Sequence, residues 1–414
     1  MQTRQREGPA VSLADVDLFN PDNYLGGVPY HVFKLLRAEA PVFRHPEPNG
    51  PGFWAVTKYD DVVSVSMDSA TFSSARKGAL LNDPPEDALP VMRSLLINQD
   101  PPRHTKYRRL VSKAFTPKVV RNLGAHIKTV TAQIIDRVAP LGECDFVTDV
   151  AAELPLQVIV EMMGVPLEER QMVFNWSNRM IGVEDPEYSV SMEDARQASL
   201  ELYMYANQLG VERKNNPRDD LVSTLMQAEV DGEKLKEAEF NAFFMLLAVA
   251  GNETTRNAIS GGMLALIEHR EQRARLVADP SLMLTAVDEI LRWVSPVMQF
   301  RRTATRDTEI RGQEISEGDK VVMYYPSANR DEDIFPDGDV FDIGRSPNEH
   351  VAFGPGGPHF CLGSNLARLE IRVMFEELLR RLPNIELAGP VQRLRSNFIN
   401  GIKHMPVRFT PERA

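Results

Sequence analysis

Cys361 lies in Phe353-Gly-Pro-Gly-Gly-Pro-His359-Phe-Cys361-Leu-Gly363, a glycine-rich loop directly before a helical pattern over residues 362–382. Small residues let backbone N–H groups approach a sulfur, and a helix N-terminus favours negative charge. The surroundings therefore suit a low-pKa thiolate that must stay an anion on a metal. The plain alternative is a buried cysteine acting as a small hydrophobe, which has no need of the glycines at 354, 356, 357 and 363. Zinc is disfavoured, because no second cysteine or histidine pair stands at ligand spacing.

Three further constellations could do chemistry. Ala250-Gly251-Asn-Glu253-Thr254-Thr falls inside an apolar helical run over residues 238–266. A mid-helix glycine costs roughly 1 kcal/mol relative to alanine, and a carboxylate beside a hydroxyl can relay protons. The plain account is that Gly251 permits close helix packing and Thr254 bonds back to a carbonyl. His104 and Arg108, four apart after Pro101 and Pro102, share one helix face. They suit a carboxylate, or they are a solvated basic helix start. Glu289 and Arg292, three apart, can pair on a helix, either as a surface pair of little worth or as scaffolding.

Taken together, these residues resemble those of the cytochrome P450 family, over nearly the whole chain from Trp54 to Phe409. The family's haem signature, Phe-Gly-x-Gly-x-His-x-Cys-x-Gly, is matched with one extra residue between Phe353 and His359. That leaves open whether Gly356 or Gly357 fills the signature glycine, while His359-x-Cys361-x-Gly363 keeps its register. The resemblance implies haem b, with Cys361 as the axial iron ligand and Phe353 and Gly363 beside it. It places His104, Arg108, Arg302 and His359 around the haem carboxylates. It implies that Ala250 and Gly251 open a groove over the iron, that Thr254 holds the oxygen being activated, and that Glu253 carries protons inward. Glu289, Arg292 and Arg345 would scaffold the cysteine loop.

The elements that must position these residues read as mainly α with small β-sheets. Residues 53–57 predict a strand and 60–67 a helix, followed by an irregular stretch over 75–100. From 102 to 382 most segments show helical spacing, broken at Pro117, Pro166, Pro186, Pro217 and Pro280. Short β signals stand at 308–315 and 320–324, with turns at Gly312 and Gly318, and 331–350 should be mostly irregular. No Ser/Gly tract, charge block or repeat divides the chain. It reads as one domain over 1–414, with 1–22 an irregular N-terminal arm. In the P450 fold that the resemblance implies, the haem lies between two long helices, over 238–266 and after Cys361.

Composition bounds the rest. A net charge of −11 argues against nucleic-acid binding. The most apolar run, 243–250, is far shorter than the roughly 20 residues that span a bilayer. Two cysteines, Cys144 and Cys361, and no secretory leader point to a cytoplasmic protein. Arg103, Lys106, Arg109 and Lys113, on the helix face away from His104, join Arg368 and Arg372 as a basic surface. That surface is either a docking patch for a small acidic redox protein or a solvated face.

The resemblance implies a monooxygenase using O2 and electrons from NAD(P)H through a ferredoxin reductase and a ferredoxin. Residues 114–120, 176–188, 251–259 and 400–403 look closest to actinobacterial members that hydroxylate terminal methyl groups of methyl-branched lipids and steroid side chains. That places the chain in lipid or steroid metabolism. Leu96, Phe243, Leu247, Val297, Met298, Phe300, Phe398 and Ile399 would line an apolar pocket. The alternatives are a monoterpene-type hydroxylase, a peroxide-driven hydroxylase, and a haem-thiolate binding protein without turnover.

Overall fold

The structure, a computed structural model, describes residues 12–230 and 232–412. Helices dominate; strands flank the helical run at 42–73 and 386–408 and also interrupt it at 143–145, 229–234 and 299–324. The central helix, Glu237–Glu268, is apolar around most of its circumference and buries Phe240, Phe244, Ala258, Ile259 and Met263. A helix apolar all round has no face for solvent, so it is packed by Glu153–Met162, Met192–Asn215, Met283–Val294 and Ser364–Arg381.

The largest sheet runs in the order Val42–His45, Phe53–Val56, Lys320–Tyr324, Gln299–Ala304, Phe72–Ser73. Phe53–Val56 pairs in parallel with Lys320–Tyr324, and the other neighbours are antiparallel. Along Gln299–Ala304 successive side chains face opposite ways. Arg302 faces the cavity described below, and Arg301 is held on the other side by Asp83 at 2.7 Å. No sequence signal marks this strand, because two adjacent arginines in a five-stranded sheet look wrong until each has its own partner side.

The predicted strand and helix near residue 55 form as Phe53–Val56 and Tyr59–Met67. The β signal at 308–315 is a hairpin, Thr308–Ile310 against Gln313–Ile315, turned at Arg311 and Gly312, both at positive φ. Pro166, Pro186 and Pro217 fall between helices, while Pro117 and Pro280 open Pro117–Val138 and the short turn Pro280–Leu282 at their first positions, where the missing N–H costs nothing. Within 75–100 the chain makes only short helical turns, Leu89–Met92 and Leu96–Asn98 among them. Residues 331–350 hold no helix or strand. Of the expected arm, 1–11 lie outside the described residues. Over 12–22 the chain is pinned: Leu18 is buried and its N–H donates to His45 Nε2 at 2.8 Å.

Candidate active site

The loop before Ser364–Arg381 carries Cys361. Gly354, Gly356 and Gly357 all have φ between 77° and 104°, a region open to glycine and strained for other residues. A Cβ on Gly357 would also stand 2.7 Å from Ser66 O, where the loop crosses the end of Tyr59–Met67. Both candidates for the signature glycine are therefore required by the backbone. The Cys361 N–H donates to Phe353 O at 2.8 Å, closing the loop, and the Gly363 N–H points at the sulfur. Burial nevertheless pushes the Cys361 thiol up, against the Gly363 N–H and the Arg108 and Arg368 guanidiniums. The Gly363 N–H and the two guanidiniums are the groups that favour the anion expected from the sequence.

Glu289 and Arg292 are fully buried and paired through two bonds of 2.7 and 2.8 Å. The Arg292 guanidinium also donates to Asn329 O, Gly338 O and Val340 O, and Arg345 approaches Glu289 to 3.3 Å. The pair thus fastens Met283–Val294 to the irregular segment that leads into the cysteine loop, and it is no surface pair. One residue before Glu289, Asp288 accepts from Arg368 Nε at 2.8 Å, and that guanidinium lies 4.6 Å over the Phe353 ring. Arg368 is therefore spoken for, and Arg103 and Lys106 pair with Glu239 and Glu233 at 3.3 and 2.6 Å. Much of the basic face expected from the sequence is neutralised within the molecule.

A mostly apolar cavity of about 1520 Å³, its mouth included, opens between the central helix and Ser364–Arg381. Cys361, Leu362, Gly363 and Leu366 line one wall; Ala250, Gly251, Thr254 and Thr255 line the other. His104, Arg108, Arg302, Phe353 and His359 border it. His104 and His359 lie against each other, tilted by 50° with centroids 4.4 Å apart, and burial together with nearby guanidiniums takes their pKa values down to about 4 and about 2. His104 Nε2 is buried without a hydrogen bond, and Arg302, 3% exposed, forms no ion pair among the described residues. Buried polar groups are ordinarily satisfied, so this edge is built for an anion with several acceptor atoms. Tyr325, unsignalled in the sequence, adds a buried phenol there, near Arg302.

On the opposite wall both plain accounts of the central-helix motif hold. A Cβ on Gly251 would stand 2.9 Å from the Ile159 side chain, and Thr254 Oγ1 donates to Ala250 O at 2.8 Å. Thr254 still faces the cavity. Glu253 does not: it is 1% exposed, paired with Arg256, whose other arm donates to Asn178 Oδ1 at 3.0 Å. Burial raises the Glu253 pKa against the pull of Arg256, and Phe174 and Tyr188 flank that guanidinium.

Of the expected pocket residues, Leu96, Phe243, Leu247, Val297 and Phe300 line the cavity. Met298, Phe398 and Ile399 do not. Met298 precedes the strand, where its N–H is bound by Phe398 O at 2.8 Å, and its side chain turns with Ile399 into a separate small gap. Phe398 stands behind Phe300, ring to ring at 5.5 Å. The sequence reading missed Phe115, Ile159 and Leu246, apolar residues indistinguishable from core by type.

Comparisons with known proteins agree on one family. The cytochrome P450 profile matches residues 156–383. The chain is 45% identical over 402 residues to the steroid C26-monooxygenase of Rhodococcus jostii (strain RHA1), covering 95% of this chain and 84% of that one. It is 44% identical over 414 residues to the methyl-branched lipid omega-hydroxylase of Mycobacterium tuberculosis (strain ATCC 25618 / H37Rv), covering 97% and 96%. Its structure is similar to that of the Mycobacterium marinum cytochrome P450 CYP268A2 in complex with pseudoionone, with a TM-score of 0.87, 44% identity and 92% and 94% coverage.

Proposed function

The chain belongs to the cytochrome P450 family, and on that premise we propose that Cys361 is the axial ligand of a haem b seated in the cavity. The protein is a monooxygenase acting on apolar substrates, with a haem-thiolate iron cofactor, O2 and a redox partner. Its finer assignment is hydroxylation of a terminal methyl group on a methyl-branched lipid, an isoprenoid or a steroid side chain. The observation that carries the reading is that one mostly apolar cavity is lined by both Cys361, just before Ser364–Arg381, and Thr254, on the central helix.

The residues fit the cofactor. The lining is mostly apolar, as a haem macrocycle would need. Among the described residues His104 Nε2 has no hydrogen bond and Arg302 no ion pair, and both gather with Arg108, His359 and Tyr325 where its two carboxylates would sit. When bound, the haem supplies the hard chemistry: activation of O2, insertion of one atom into an unactivated C–H bond and reduction of the other to water. The protein ligates, orients and delivers protons. Cys361 would hold the iron through its sulfur, and bound iron would supply a counter-charge to the thiolate. Thr254 Oγ1 can turn from Ala250 O to pass a proton into the cavity. Glu253 lies behind the helix, and a proton would pass between it and Thr254 only if Glu253 left Arg256 or through water. Leu96, Phe243, Leu247, Val297 and Phe300 exclude water and orient an apolar substrate.

Electrons reach the site from NAD(P)H through a ferredoxin reductase and a ferredoxin, and the protein works in the cytoplasm as one catalytic domain. Among the described residues no helix is long and apolar enough to cross a membrane. A smaller isoprenoid substrate is the second reading, favoured by the pseudoionone complex of the Mycobacterium marinum relative. Product analysis with a ferredoxin system and NADPH separates them. A methyl-branched fatty acid or cholest-4-en-3-one hydroxylated at a chain-terminal methyl supports the main reading. Turnover confined to monoterpene-sized isoprenoids, at carbons other than a terminal methyl, contradicts it.

A further inference from the structure

Residues 75–99 connect the strand Phe72–Ser73 to the helix of His104 and bring Leu96 and Ile97 to the cavity. With so little regular structure, the path of this loop depends on what it is tied to. The ties come from the sheet. The Arg301 N–H donates to Ala79 O at 2.8 Å, and its guanidinium donates to Leu81 O at 3.3 Å and to Asp83 Oδ1 at 2.7 Å. Lys320 Nζ lies 2.8 Å from Asp83 Oδ2.

Arg301 and Lys320 are 1% and 2% exposed and sit on paired strands. Two buried cations require two anions. Glu47 takes Lys320 with both oxygens at 2.7 Å, and among the described residues Asp83 is the sole carboxylate paired with Arg301. Within the loop, Asn98 closes the other side: its Oδ1 accepts from Ala79 N–H at 3.0 Å and its Nδ2 donates to Met92 O at 3.1 Å. Ala79, Asp83 and Asn98 thus form one clasp, and it grips the residue next to Arg302, which borders the cavity.

We propose that Asp83 is a positioning residue that sets the shape of the substrate pocket through residues 79–98, and so selects which apolar ligands fit. This rests on the reading of the cavity as a haem and substrate pocket. Asp83→Asn removes the charge at nearly constant size. Glu47→Gln does the same to the other partner of Lys320 without touching the loop. Two measurements on the haem-loaded protein separate them: amide hydrogen exchange over 79–98, which needs no ligand, and absorption titrations with imidazole and with clotrimazole, one small and one bulky and apolar.

In Asp83→Asn, exchange over 79–98 quickens and clotrimazole binding weakens about tenfold, the worth of one charge-assisted hydrogen bond. Imidazole binding stays at the parent value, and Glu47→Gln leaves both readouts near the parent. Unchanged exchange in Asp83→Asn overturns the anchor, as does an equal rise in Glu47→Gln. Faster exchange with an unaltered clotrimazole-to-imidazole ratio overturns the selection of shape. If neither azole shifts the spectrum of the parent, the haem reading fails, and the exchange result alone decides on the anchor.

Discussion

The imidazoles of His104 and His359 meet at an angle of 50° with centroids 4.4 Å apart, on an edge of the cavity that also holds Arg108 and Arg302. In the protein alone this edge is positive enough, and buried enough, to keep both rings neutral. Their pKa values fall below the ordinary 6.5, so the unfolded chain binds more protons than the folded one at mildly acid pH. Stability from this pair is present above about pH 6.5 and is lost as pH falls toward 4. Carboxylates seated against the rings favour the charged forms and oppose that loss. Thermal melts at pH 7 and pH 5 should show a larger drop in Tm for the haem-free protein than for the haem-loaded one. Equal drops would remove the carboxylate role from these histidines.

Thr254→Ala removes the one hydroxyl of the Glu253-Thr254 pair that faces the cavity, and leaves Cys361 and the apolar lining untouched. Haem content and substrate binding should stay near parent levels while electrons are diverted to hydrogen peroxide. Peroxide formed per NAD(P)H consumed is the measurement. Unchanged coupling would refute the role given to Thr254.

Arg292→Leu leaves Glu289 buried without its main partner and abandons three carbonyls. Breaking a buried pair from one side costs about 3–5 kcal/mol, so this variant should accumulate with little haem and a strongly lowered Tm. Normal stability and haem content would mean the pair does not fasten the cysteine loop.

What was legible in the sequence follows from how each signal arises. Cys361, Thr254 and the Glu289–Arg292 pair stand in short motifs whose spacing is itself the geometry. Glu253 stands in such a motif too, yet its direction depends on Arg256 and Asn178, which no spacing reveals. The pocket wall was half legible. Phe243, Leu247 and Leu96 lie in segments that the fold turns inward, whereas Met298 and Ile399 lie in irregular chain, where neighbours choose the side. The strand of Arg301 and Arg302 was invisible because Arg301 is satisfied by Asp83, over 200 positions away, while Arg302 faces the cavity.

Leu247→Ala and Met298→Ala test that division. Both delete buried side chains, and each should cost about 2–5 kcal/mol of stability. Leu247→Ala alone should change the dissociation constant of an apolar ligand such as clotrimazole. A comparable change in Met298→Ala would put Met298 back in the pocket.

The most direct test of the account is the absorption spectrum of the reduced protein with carbon monoxide, for the parent and for Cys361→Ser. The account predicts a strongly red-shifted Soret band in the parent, which marks thiolate ligation, and its loss together with monooxygenase activity in Cys361→Ser, whether or not haem is retained. A parent spectrum typical of histidine-ligated haem, or full activity in Cys361→Ser, would contradict it.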